Sequence, residues 1–490
     1  MNRPIRFVAL VAGLMVFALL GNLTYFGLAR QPALQQDPAN VRALYHDFDR
    51  QRGQILAGQT VIADTVEAAP GDARFTRQRV YPSGPLFAQI TGFFSFVYGT
   101  RAVENSFNND LSGATSTQWL DSLSDLWHGR EPAGATVQTT IDPVLQQTAM
   151  DQLGTAKGAI VVLDPHTGAV KAMASTPTYD PNGLASHDMA AVQADWTNLV
   201  NDPAQPMLNR AAREVYPPGS TAKLITAAAA LKAGYKADTL IDTPSSIQLP
   251  NSTHPLPNAS PCGNGRQTFA FALAMSCNTS FANLGKALGA DQLLAQAEAF
   301  GFNKTHLDDL GDAPSRYFTG LDDAGNLVPS PPDDAQLMMS AMGQWNVAAS
   351  PLQMAMVVSA IVNGGVLMEP YVVESVTSAD QKVLHEHQAQ SSEAMKPADA
   401  ATLAEMMKGV VQRGTGTAAQ IPGVVMGGKT GTAEWQPGQP PYSWYVAYAT
   451  NPDVVVAVFV ESAPVAATDM ASGALTGPML RRVVLATRPQ

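Results

Sequence analysis

The sequence predicts an α+β fold, an antiparallel sheet assembled from strands far apart in the chain and packed on helices, with a smaller N-terminal unit before it. Three observations carry this. Hairpin patterns stand at both ends of the C-terminal part, helix patterns lie between them, and a long apolar run opens the chain. The chain has 490 residues, more than one hydrophobic core usually organises, so two or three domains are expected. Hydrophobic residues make up 46% and charged residues 14%, a balance that folds rather than stays disordered.

The opening run, from Phe7 to Ala29, follows Arg3 and Arg6, and no acidic residue occurs before Asp37. It is long enough to cross a bilayer as a helix with its basic end in the cytoplasm. Gly27 and Ala29 have the spacing a signal peptidase accepts, but the run is longer than a usual signal h-region, which favours an uncleaved anchor. Residues 1–30 are therefore read as a short cytoplasmic tail and single-pass anchor, with the rest of the chain outside the cytoplasm.

Residues 31–154 mix short helical and strand-like pieces, among them Arg52-Gly53-Gln54-Ile55, and carry no catalytic cluster; they are expected to form a pedestal. Residues 155–490 are expected to form the catalytic domain. It opens with a hairpin, Ala159–Leu163 and Val170–Ala174 around Asp164-Pro165-His166-Thr167-Gly168. A helix is predicted from Ser220 to Ala233, with Pro217 and Pro218 before it and Gly234 as its stop. Pro250–Gly265 and Asp312–Asp334 read as loops. A second hairpin joins Ser443–Ala449 to Val454–Glu461, and the last residues read as helical.

The net charge is −11, from 30 basic and 41 acidic residues, without a basic stripe to meet a phosphate backbone, so no nucleic-acid partner is expected. No metal or other cofactor is expected either. The two cysteines do not form a C-x-x-C pair, and the closest histidines, His385 and His387, lie in a polar stretch expected to face solvent.

Three motifs carry chemistry. In Ser220-Thr221-Ala222-Lys223 the hydroxyl stands at a helix start, where free N–H groups favour a developing oxyanion, and the lysine follows at a spacing that shares its face. No other serine has Lys at +3, and the apolar run after Lys223 implies that its amine is buried, where it can act as a base. In Ser276-Cys277-Asn278 a hydroxyl can relay protons and an amide can hold a substrate carbonyl. Ser106-Phe107-Asn108 has the same S-x-N pattern but falls in the pedestal. Lys429-Thr430-Gly431-Thr432 reads as a strand, with Lys429 and Gly431 on one side and the threonines on the other. It forms a docking edge whose lysine can attract a carboxylate and whose threonines can bond to it.

S-x-x-K, S-x-N and K-T-G in this order resemble the penicillin-recognising serine enzymes. Gly343-Gln344, Ser350-Pro351-Leu352-Gln353-Met354-Ala355 and Asn363-Gly364-Gly365 are similar to further segments of their transpeptidase domains, and Arg52-Gly53-Gln54-Ile55 to the R-G-x-I segment of class B penicillin-binding proteins. The resemblance is strongest to actinobacterial members and departs at Ala222, where Phe or Met is usual.

It implies a penicillin-binding, serine β-lactamase-like transpeptidase domain on a pedestal. Ser220 would attack the D-Ala-D-Ala amide of a peptidoglycan stem peptide, with Lys223 as base and Ser276 as relay, and β-lactams would acylate the same serine. The N–H groups of Ser220 and Thr432 would hold the oxyanion. A membrane glycan polymerase is the implied partner.

A D,D-carboxypeptidase is the alternative, since water can replace the acceptor amine. A non-catalytic β-lactam sensor or scaffold is another, though the intact motifs disfavour it. A class A β-lactamase would need an E-x-x-L-N segment between Asn278 and Lys429, and there is none. A bifunctional polymerase would need more chain than residues 31–154 supply. Cys262 and Cys277 either form a disulfide beside the second motif, in keeping with an oxidising compartment, or remain two buried thiols.

Overall fold

The computed structural model describes residues 2–25, 48–70, 72, 74–115, 133–253, 255–434, 438–471 and 473–488. Gly27, Ala29 and Asp37, which bear on cleavage of the first segment, lie outside the described residues. Helix α1 (Asn2–Tyr25) includes a stretch, Arg3–Tyr25, that is long and apolar enough to cross a membrane and is not buried against the rest of the protein.

Eleven strands and seven further helices position the site. The strands are β1 (Ile55–Ala57), β2 (Thr60–Glu67), β3 (Arg77–Val80), β4 (Thr136–Thr139), β5 (Lys157–Leu163), β6 (Val170–Thr176), β7 (Val373–Thr377), β8 (Val383–Glu386), β9 (Met426–Ala433), β10 (Tyr442–Ala449) and β11 (Val454–Ser462). The helices are α2 (Pro143–Leu153), α3 (Lys223–Lys232), α4 (Phe269–Ala274), α5 (Asn278–Leu288), α6 (Pro351–Val362), α7 (Pro397–Arg413) and α8 (Thr476–Ala486).

The larger body is built on a five-stranded antiparallel sheet in the order β9-β10-β11-β5-β6. Its strands read as continuous apolar runs because both faces are covered. Along β5, Ile160 and Val162 join the core beneath α2 and α8, whereas Ala159, Val161 and Leu163 join the core that contains α3 and α6. The same period-2 division places Trp444 and Val446 opposite Tyr445 and Ala447 on β10. Helix α3 is buried on all sides from Lys223 to Leu231, so its apolar sequence has no polar face to offer water.

The second sheet, in the order β8-β7-β4-β1-β2-β3, joins chain segments more than two hundred residues apart. Strand β7 pairs antiparallel with β4, while β1 and β4 run parallel. The hairpin of β7 and β8 thus completes the sheet that the N-terminal residues begin. His385 lies exposed on β8, and His387 is half-buried with its ring stacked on Tyr371.

Each residue of Arg52-Gly53-Gln54-Ile55 has a packing role here. The Arg52 guanidinium is buried and forms an ion pair with Glu104 at 2.7 Å, and the other Glu104 oxygen takes Arg79 Nε at 2.6 Å and the Tyr81 hydroxyl at 3.1 Å. A Cβ on Gly53 would stand 1.9 Å from the Ala135 carbonyl oxygen, Gln54 donates to Asp64, and Ile55 is buried on β1. The S-x-N pattern at Ser106 belongs to this network, because Asn108 Oδ1 accepts from Arg52 at 2.9 Å.

Burial alone would raise the Glu104 pKa, but Arg79 and Arg52 together outweigh it and hold the carboxyl below the ordinary carboxylate value. Its contribution to stability is therefore present at neutral pH and is lost as pH falls through the folded pKa. Glu104→Gln leaves two buried guanidiniums without a counter-charge and is expected to cost about 3–5 kcal/mol in a denaturant-unfolding measurement. A cost below about 1 kcal/mol, the range of an exposed ion pair, would show that the triad is solvated.

Candidate active site

The chain approaches Ser220 along a fixed path. Tyr216 exchanges backbone hydrogen bonds with Ala349, and its ring lies 4.2 Å from that of Phe459 on β11. Its hydroxyl donates to Glu461, which also holds the buried Arg210 and Lys157. Trp444 Nε1 then donates to the Pro217 carbonyl at 3.0 Å.

The residues Gly219–Ala222 form a 3-10 turn, and the α-helix begins only at Lys223. Sequence reading placed Ser220 in the first turn of one continuous helix. The tighter turn preserves the expected alignment, since residues three apart eclipse in 3-10 geometry.

Glycine is required where three segments converge on this turn. Gly219 has φ +53°, and a Cβ there would lie 2.4 Å from the Thr432 carbonyl oxygen. A Cβ on Gly343 would lie 2.1 Å from the Gly219 oxygen and 2.8 Å from Ala222 Cβ, so the small side chain at Ala222 allows this approach. On β9, a Cβ at Gly431 would meet the Pro218 oxygen at 2.8 Å and Thr221 Cγ2 at 2.9 Å. The close approach read at Gly431 is therefore to the turn that carries Ser220.

Lys223 is fully buried. Its amine donates to the Ser276 carbonyl at 2.8 Å, Ser276 Oγ at 3.1 Å and Asn278 Oδ1 at 2.7 Å, and it lies 5.5 Å from the centre of the Phe281 ring. None of these partners is anionic. Burial, and then the charge of Lys429, depresses the Lys223 pKa well below the usual lysine value. Ser220 is half-buried at the mouth of the site and has no hydrogen bond to Lys223.

Ser276 ends α4 in the left-handed region, at φ +57°, and so lets α5 start at Asn278 in a new direction. A Cys262–Cys277 disulfide ties the preceding loop to this turn. The Asn278 amide donates to the Pro257 carbonyl, and Asn258 bonds with Thr279, so the 255–262 segment is held beside the second motif at several points.

Strand β9 lies at the edge of its sheet. Lys429 is buried on it and donates to the Thr430 carbonyl at 3.0 Å, and burial lowers its pKa to about 7. Thr430 Oγ1 bonds with Thr415 Oγ1 at 2.6 Å, and Thr432 Oγ1 donates to the Ala471 carbonyl at 2.7 Å. Both threonine hydroxyls expected to meet substrate are thus engaged within the protein here. Thr415 and Trp444 were missed by sequence reading, because neither lies in a motif and each reaches the site only through tertiary packing.

Three motifs gathered around a buried lysine, on an antiparallel sheet covered by helices, define the class of penicillin-recognising serine enzymes. Residues 158–485 match the model of the penicillin binding protein transpeptidase domain, and residues 52–137 that of the penicillin binding protein A dimerisation domain. The chain belongs to the penicillin-binding protein transpeptidase family. Peptidoglycan D,D-transpeptidase PbpA of Mycolicibacterium smegmatis is 39% identical, with 99% of each chain covered. PbpA of Mycobacterium tuberculosis is 39% identical over 99% of this chain and 98% of its own. The solved imipenem acyl-enzyme complex of penicillin-binding protein A from M. tuberculosis matches with 38% identity, a TM-score of 0.81, and coverage of 90% of this chain and 99% of that one.

Placing a methyl group between β9 and the Ser220 turn tests their contact. Gly431→Ala is expected to lower the unfolding free energy by about 1–3 kcal/mol, measured by urea titration, as overpacking against a backbone carbonyl does. Unchanged stability would mean that strand and turn are apart in solution.

Proposed function

We propose that this protein is a peptidoglycan D,D-transpeptidase that forms peptide cross-links through a serine acyl-enzyme and is acylated by β-lactams. The observation that carries the reading is the burial of Lys223 among partners none of which is anionic. A buried lysine whose ammonium form is disfavoured, three residues from a half-buried serine, is suited to take that serine's proton. The whole-chain similarity to PbpA and the acyl-enzyme structures of its relative support the same reaction.

In the proposed sequence Ser220 Oγ attacks the carbonyl of the D-Ala-D-Ala amide as Lys223 accepts its proton. Backbone N–H groups of Ser220 and Thr432 stabilise the oxyanion. Ser276, bonded to Lys223, passes a proton to the departing D-alanine, and Asn278 and Lys429 to Thr432 orient the donor peptide along the edge of β9. An amine of a second stem peptide then resolves the ester. Where water does so instead, the enzyme is a carboxypeptidase.

The apolar α1 supports single-pass anchoring with the catalytic body outside the cytoplasm, and a glycan polymerase in the same membrane is the proposed partner. Residues 1–30, 31–154 and 155–490 serve in this reading as anchor, pedestal and catalytic domain, with α2 from the pedestal's end packed on the catalytic sheet.

Intact-protein mass spectrometry with penicillin tests the proposal. The wild type is expected to gain one persistent adduct that Ser220→Ala lacks. Rapid turnover without an adduct would contradict transpeptidation in favour of β-lactam hydrolysis, and no reaction at all would indicate a non-catalytic scaffold.

A further inference from the structure

Trp345 combines three properties that packing does not explain. Its side chain is 61% exposed, its backbone sits at φ +63°, and it rides on a segment fastened at both ends to the approach to Ser220. A bulky aromatic residue rarely adopts the left-handed region, and burial provides no compensation for doing so here.

The fastening is specific. The Gly343 carbonyl accepts from the Gly219 N–H at 3.0 Å, and Ala349 exchanges hydrogen bonds with Tyr216 at 3.0 and 2.8 Å. Between these anchors the Asn346 carbonyl accepts from the Phe318 N–H. Two peptide units separate Trp345 from Gly343, so their Cα atoms lie within roughly 7 Å of each other. The Trp345 backbone is therefore held near the turn that carries Ser220, and its side chain is open to solvent.

The two flanks of that turn differ. Strand β9 lies against the Gly219 Cα, whereas the Gly343 carbonyl accepts from the Gly219 N–H and the Gly343 Cα lies against the Gly219 carbonyl. The donor peptide, in the transpeptidase reading on which this inference rests, occupies the β9 flank. We propose that Trp345 is a substrate-contact residue for the acceptor, a stem peptide presenting a primary amine on an aliphatic side chain. Its methylenes pack on the indole face while the amine reaches the acyl-enzyme carbonyl.

In this step the amine nitrogen forms a bond to the ester carbonyl carbon, the bond from that carbon to Ser220 Oγ breaks, and the proton lost by the amine returns through Lys223 to Oγ. Water competes for the same carbonyl without needing a platform. Trp345 thus sets the ratio of amide formation to hydrolysis by holding the amine close, and leaves acylation untouched.

The test uses the full chain in detergent with a peptide thioester donor and two acceptors, Nα-acetyl-lysine amide and hydroxylamine. Trp345→Gly suits the backbone conformation and removes the ring, so it folds without the strain of the wild type. With the lysine amide, its ratio of aminolysis to hydrolysis is expected to fall on the order of tenfold, the loss of one good aromatic contact.

The hydroxylamine ratio and the rate of penicillin acylation stay unchanged, and Trp345→Phe retains most of the wild-type ratio. An unchanged lysine-amide ratio in Trp345→Gly, or a parallel loss of penicillin acylation, overturns the inference. Wild-type protein that penicillin fails to acylate overturns the transpeptidase reading beneath it.

Discussion

An ammonium group loses its hydration on entering a protein interior, and at Lys223 no carboxylate among the described residues replaces it. The amine is surrounded by the Ser276 carbonyl and hydroxyl, the Asn278 amide oxygen and the Phe281 ring, and a second buried lysine adds repulsion. Burial, and then the charge of Lys429, disfavours the ammonium form and lowers the Lys223 pKa well below the usual lysine value. A neutral amine accepts a proton, and the proposed role of Ser220 depends on that capacity. The surrounding architecture can be understood as what keeps water and counter-charge away from this nitrogen.

The fold meets that requirement by burying α3 from Lys223 to Leu231 and closing its entrance with backbone rather than side chains. Gly219, Gly343 and Gly431 each stand where a Cβ would strike another segment, so the Ser220 turn, the 343–349 segment and β9 approach to backbone contact. On the remaining side, the left-handed turn at Ser276 and the Cys262–Cys277 link hold the second motif over the amine. Farther away, the buried Arg52–Glu104–Arg79 cluster organises the second sheet, to which the hairpin of β7 and β8 ties the larger body.

Sequence reading reached the parts of this arrangement that are written locally. Both hairpins of the main sheet announced themselves by apolar runs around Asp164–Gly168 and Thr450–Asp453, and the three motifs stood out by residue type and order. Features that depend on contacts between distant segments were not legible. Nothing near Val373 signals that it pairs with Thr139, and nothing near Arg52 identifies Glu104 as its partner. The regions read as loops, Pro250–Gly265 and Asp312–Asp334, contain short paired strands such as Thr319–Leu321 with Leu327–Pro329, too brief to show a period. The 3-10 start before α3 and the left-handed Ser276 are imposed by packing rather than by local preference.

The most direct test of the account is the protonation state of one nitrogen. Carbon-13 and nitrogen-15 labelling of lysine, with the Lys223 signals assigned by their loss in Lys223→Met, allows its side chain to be titrated by NMR. The account predicts that the Lys223 amine loses its proton well below the pH at which an ordinary lysine does, because burial and the charge of Lys429 both disfavour the ammonium form. A Lys223 signal that remains cationic through neutrality and titrates near the free-lysine value of about 10.4 would contradict it.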